Sequence, residues 1–166
     1  MLKNLGEWNQ DTDEVSNPRF QLLMRGTEHV IYLDGDNVLK TYFGKAAETE
    51  EELESIANHI IEIRNSVSEQ IPISLEGYVT HFGILYPVFK QEKLETVNGI
   101  TYNLLIKDLK DRLANKGWKP VKDSNLFYNE ELDEFLEDMT VENVGIKDGK
   151  LYMFDGYVYK GKKANP

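Results

Sequence analysis

The sequence predicts an α+β fold, and three observations carry that prediction. Short apolar runs broken by Gly, Asp and Asn mark residues 20–42 and 71–89, the sign of strands joined by tight turns. In two other stretches the apolar residues return every three or four positions, as on one face of a helix. Near the end of the chain, Asp148-Gly149 separates two apolar runs, a strong signal for a hairpin whose turn needs positive φ.

Taken in order, residues 1–19 are polar and loop-like, with a turn at Asn17-Pro18, and are expected to form a flexible N-terminal arm or a strap over the body. Phe20–Met24, Val30–Leu33 and Val38–Tyr42 read as a three-stranded meander turned at Arg25-Gly26 and at Asp34-Gly35-Asp36-Asn37. Alternation in the third strand puts Val38, Lys40 and Tyr42 on one face, with Leu39 and Thr41 on the other. A helix is expected over 46–68, where Leu53, Ile56, Ile60, Ile63 and Val67 share a stripe and Glu48–Glu54 sit at the positive end of the dipole. At about 100° per residue, Glu52 is the glutamate nearest that stripe, followed by Glu48. Two more strands, from Ile71 and from Phe82, complete an N-terminal region of residues 20–92 with an antiparallel sheet and one long helix.

Residues 93–166 read as a smaller helical region with a hairpin. Tyr102, Leu105, Ile106, Leu109 and Leu113 predict a helix over 101–116, stopped by Gly117. Asn125–Tyr128 reads as a short strand and precedes the acidic stretch Glu130–Leu136. Val144–Ile146 and Leu151–Phe154 form the hairpin, and the tail from Lys160 is expected to fray.

Composition narrows the function. Lysine and arginine number 19 against 29 acids, a formal charge of −10, which disfavours direct binding to a nucleic-acid backbone. The absence of cysteine removes disulfides, thiolate metal sites and cysteine nucleophiles, and suits a reducing cytoplasm. His29, His59 and His81 lack the close spacing of a local zinc motif. No apolar run approaches the roughly 18 residues of a membrane span.

The segment Asp138-Met-Thr-Val-Glu-Asn143, with Asp155 at the far end of the hairpin, carries the candidate chemistry. The hairpin brings Asn143 and Asp155 to one end, where two oxygen donors suit a hard cation such as Mg2+. Asp138 is then the acceptor for a hydroxyl proton. A plainer reading fits the same residues: Asp-Gly hairpins occur in proteins of every kind, Asp138 is then a surface acid, and Lys40 is an edge-strand lysine or one whose stem snorkels to solvent.

Strand lysine, helix glutamate, polar connector, then Asp-x4-Asn and a hairpin ending in Asp is the order of parts in protein kinases and their small-molecule relatives. More narrowly, the chain resembles the compact kinase-like domain of polyvalent proteins from phages and mobile elements. The matching pieces are Gly26-Thr-Glu-His-Val-Ile-Tyr-Leu-Asp-Gly, Leu75-Glu-Gly-Tyr-Val, Gly117-Trp118 and Asp138 through Asp155. The resemblance implies a minimal two-lobed fold that binds ATP and Mg2+. Lys40 would hold the α- and β-phosphates and pair with Glu52, and Gly26 would lie in the cover over the phosphates. Asn143 and Asp155 would hold the metal, Asp138 would orient the accepting hydroxyl, and the purine would use backbone groups near Tyr86–Glu92. The partners implied are a nucleotide and a hydroxyl-bearing acceptor, either a protein or a small molecule.

The chain departs from protein kinases at four places. One glycine, Gly26, stands where they have a glycine-rich turn; Leu136-Glu137 replaces His-Arg, with Thr140 where many have lysine; Gly156-Tyr157 replaces Phe-Gly; and 11 residues follow Asp155, too few for an activation segment. Two alternatives therefore stand beside phosphotransfer: a nucleotide binder without turnover, and a non-enzymatic acidic protein that occupies a partner's basic surface.

Overall fold

A computed structural model describes residues 2–122, 124–137 and 139–161. Its architecture is α+β, in two compact units: Met1–Glu62 with Pro72–Lys93, and Ile63–Ile71 with Leu94–Pro166. The second unit thus takes a short segment from the middle of the region expected to be N-terminal.

The first unit is built on one six-stranded sheet. Its strands are β1 (Asn4–Glu7), β2 (Gln21–Arg25), β3 (His29–Asp34), β4 (Asn37–Tyr42), β5 (Ile73–His81) and β6 (Ile84–Glu92), in the order β1-β5-β6-β4-β3-β2. The meander of β2, β3 and β4 follows the alternation of the sequence, and Gly35 at φ 61° makes the β3–β4 turn.

Residues 2–19 are more than an arm. β1 pairs parallel to β5, and Leu5, Trp8 and Phe20 are buried against Val30, Tyr32, Leu39, Val79 and Val88 on one sheet face. Trp8 stacks on Phe43 at 5.8 Å and meets Tyr86 edge-on at 5.0 Å. Gly77 permits the β1 pairing, because a Cβ there would lie 2.3 Å from the Lys3 carbonyl oxygen. The segment looks polar because few of its side chains point inward, but those few are large.

The other face is covered by Ala57 of α1 (Glu50–Arg64), which packs with Tyr42, Ile73 and Phe89. The helix is shorter than the expected 46–68. Ala47 instead exchanges two 2.8 Å backbone hydrogen bonds with Leu85, forming an isolated β-bridge ahead of the helix. Thr49 then opens the helix, its Oγ1 accepting from the Glu52 N–H at 3.1 Å.

The second unit contains α2 (Gly99–Ala114), begun by Asn98, whose side chain accepts from the Thr101 N–H at 2.8 Å. Around it lie two small sheets. One is formed by β8 (Trp118–Pro120), β9 (Phe127–Asn129), β10 (Glu134–Glu137) and β13 (Tyr157–Lys160), in the order β13-β10-β9-β8. The other is formed by β7 (Glu95–Thr96), β11 (Val144–Lys147) and β12 (Lys150–Met153), in the order β12-β11-β7. The region expected to be helical therefore holds more strand than helix.

Leu109 and Leu113 of α2 bury against Trp118, Phe127, Leu136, Leu151, Met153 and Val158, forming the core of this unit. The Asp148-Gly149 turn has the positive φ values expected, 53° and 76°. Lys160, expected to fray, ends β13 and pairs with buried Glu134 at 3.2 Å, while residues 162–166 lie outside the described residues.

Candidate functional site

Lys40 lies within the sheet of the first unit, opposite Ile31 on β3 and Phe89 on β6. With strands on both sides it is not on an edge, and at 1% exposure it does not snorkel, so both plain explanations of this lysine are removed. A buried ammonium carries a desolvation penalty that must be offset by polar or charged partners.

Gly26 begins the β2–β3 connection, and its N–H donates to the His29 carbonyl at 2.8 Å. Glu52 occupies a different place from the one expected. It is exposed, and its carboxylate accepts from the Glu48 N–H at 3.2 Å while its own N–H caps on Thr49. Glu52 is the glutamate nearest the apolar stripe, but it is also the third residue of the helix, where a carboxylate can turn back over the first turn.

The second unit holds Asn143 and Asp155. Val141–Asn143 makes one turn of 3-10 helix, in which the Asn143 N–H donates to the Thr140 carbonyl at 2.9 Å and its amide to Thr140 Oγ1 at 3.1 Å. The chain then enters β11, pairs with β12, and returns. The Asn143 carbonyl accepts from the N–H groups of Phe154, at 3.0 Å, and Asp155, at 3.4 Å. Hairpin and turn thus bring these two oxygen-bearing side chains to one end of the β11–β12 ladder. Asp138 lies outside the described residues.

Asp155 is fixed by Arg64, which gives no signal in the sequence, and by Gly156, which the sequence marks only as a departure from protein kinases. Arg64, in the last turn of α1, places Nη1 at 3.6 Å from Asp155 Oδ1 and donates to the Gly156 carbonyl at 3.0 Å. In sequence, a basic residue at a helix end reads as ordinary dipole complementarity, which hid it. Gly156 is the second: a Cβ there would lie 2.9 Å from Gln70 Oε1 and 3.1 Å from Met153 Sδ. The Asp-Gly pair therefore has a steric reason in this fold.

A cleft of about 780 Å³ also belongs to the second unit, bounded by Tyr102, Lys110, Phe127, Glu137, Met139 and Thr140. The Tyr102 hydroxyl, pushed up by burial and then by the Glu142 carboxylate, stays protonated and donates to the Met139 carbonyl at 2.8 Å. Among the described residues no three His, Cys, Asp or Glu side chains cluster to hold a metal, and no helix is long and apolar enough to cross a membrane.

No curated protein and no solved structure matches the chain. A family model described as "Serine/Threonine/Tyrosine Kinase found in polyvalent proteins" matches residues 2–162, nearly the whole length. With its buried strand lysine and its Asn–hairpin–Asp element, the chain belongs to this kinase family of polyvalent proteins.

Proposed function

We propose that the chain binds ATP with Mg2+ and transfers the terminal phosphoryl group to a hydroxyl on an acceptor, as a minimal two-lobed kinase-like domain. The unit carrying Lys40 would correspond to the first lobe, expected over residues 20–92, and the unit carrying Asn143 and Asp155 to the reduced second lobe, expected over 93–166. Family membership supports this reading, and one observation carries it: the shared Asn143 carbonyl that ties Asn143 to Asp155.

The donor chemistry fits the metal. An amide and a carboxylate are hard oxygen donors, and a Mg2+ bound through one or two such groups keeps its remaining positions for water and phosphate. Bound there, it would neutralise phosphate charge. Asn143 is oriented by Thr140, and Asp155 is held by the Asn143 carbonyl and Arg64. Lys40, rigid in a sheet interior, would meet the α- and β-phosphates, and Gly26 would admit them close to the backbone. Asp138 would orient the accepting hydroxyl and take its proton. Such a site works by positioning and charge, because phosphoryl transfer asks for little covalent help from the protein.

Leu136-Glu137, standing where protein kinases carry His-Arg, favours a second reading in which nucleotide binds without turnover.

Thermal melts test the binding step. ATP with Mg2+ should stabilise the protein by about 2.7 kcal/mol at one hundred times Kd. Asp155→Ala should lose the Mg2+-dependent part of that shift, and an unchanged shift would remove the metal assignment. ADP formation with a hydroxyl acceptor then separates the two readings: a shift without turnover selects the second.

A further inference from the structure

The four-stranded sheet of the second unit buries one face and leaves the other lined with aromatic rings. On β10, Glu134 and Leu136 point into the core, so Phe135 and Glu137 point out; Tyr128 on β9 and Tyr157 and Tyr159 on β13 alternate the same way. Register places Phe135 opposite both Tyr128 and Tyr159, and Glu137 opposite Tyr157. The rings form a continuous row: Tyr128 to Phe135 is 4.7 Å between centroids, Phe135 to Tyr159 is 5.3 Å, and Tyr159 to Tyr157 is 5.3 Å. None of the four belongs to the buried cluster beneath, where Phe127, Leu136 and Val158 lie. They cover one another, and Tyr157 at the end of the row is 38% exposed.

Carboxylates border the row. Asp133 accepts from the Tyr128 hydroxyl at 2.7 Å, and Glu137 faces Tyr159. These acids help keep both phenols protonated and the ring faces neutral. On the outward side of the four strands Glu137 is the acid and Lys119, opposite Tyr128, the base, while Lys160, which follows Tyr159, pairs with Glu134 of the buried side.

Aromatic faces attract cations, and neighbouring carboxylates supply charged hydrogen bonds to the same group. Single-stranded nucleic acid also stacks on aromatic sheets, but it needs a basic groove for its backbone, and the rings here are bordered by Asp133 and Glu137, with Lys119 at the β8 side. We infer that this face docks an extended arginine- or lysine-rich peptide segment of a partner protein. The inference is independent of nucleotide binding.

The test is a titration of the full chain with a nine-residue peptide alternating arginine and glycine, and with the same peptide carrying neutral citrulline for arginine. The arginine peptide should bind and the citrulline peptide should not. Tyr159→Leu and Tyr157→Leu, which keep apolar bulk and lose the ring, should each weaken binding roughly three- to thirtyfold, the range of exposed to desolvated cation–π contacts. Glu137→Gln should weaken it as well, and melting curves establish that each variant is folded. Unchanged affinity in both tyrosine variants would overturn the inference, because binding would then need only diffuse negative charge. Displacement of the peptide by oligothymidylate, or a wild-type dimer that Tyr157→Leu dissociates, would overturn it in favour of nucleic acid or a second copy.

Discussion

The two units position their candidate residues by different means. In the first, strands of six and nine residues, β3 and β4 with β5 and β6, make one continuous sheet, and Lys40 is placed by neighbours on both sides. In the second, strands of two to four residues form two small sheets, and Asn143 and Asp155 are placed by particular contacts that include the Thr140 hydrogen bonds, the Asn143 carbonyl shared by two N–H groups, Arg64, and Gly156 under Gln70. Long ladders make position a property of alternation. Short ones leave it to particular close approaches, and these are easier to destroy.

Substitutions can break this contrast. The largest effect is expected from Trp8→Ala in the first unit, which removes a fully buried indole and its two ring contacts. The loss should be about 3–5 kcal/mol in urea unfolding; a loss under about 1 kcal/mol would mean that the N-terminal segment is an arm after all. Gly145→Ala comes next, in the second unit. Its Cβ would lie 2.4 Å from the Leu94 Cβ and 3.0 Å from the Glu95 carbonyl, where backbone must move. About 1–3 kcal/mol should be lost, with hydrogen exchange rising first at Glu95–Thr96 and Gly145. Uniform exchange across that unit would contradict placement by local contacts.

The smallest effect sharpens the comparison through pH. In the first unit Arg19 Nη2 lies 2.8 Å from Asp34, and its hydrogen bond holds that carboxyl below the usual range, against an opposing desolvation. A lowered folded pKa means stabilisation that is present above about pH 4 and is lost as pH falls through the folded value. Arg19→Met should therefore lower stability in urea at pH 6 by under about 1 kcal/mol, and the loss should shrink as pH falls and Asp34 takes up its proton. A loss that does not change with pH would assign Arg19 a packing role.

The sequence made the meander legible because alternation and Gly35 say the same thing twice. It made the Asp148-Gly149 hairpin legible because that turn chemistry is local. It concealed β1, whose pairing depends on Gly77 making room for Lys3, some seventy residues away in sequence. Most of the four-stranded sheet was hidden too, because strands as short as Trp118–Pro120 show no period. For the candidate site, the residue types and their order were readable. The contacts of Arg64, and Glu52 acting as a cap, were not, since both depend on where the helix begins and ends.

The central claim is that Lys40 serves phosphate binding, and calorimetric titration of ATP and adenosine into wild type and Lys40→Met tests it most directly. Methionine keeps the volume of a buried lysine stem, so folding can be verified independently. The account predicts at least a tenfold loss of ATP affinity, about 1.4 kcal/mol or more, with adenosine affinity unchanged. Equal losses for the two ligands, or none for either, would contradict it.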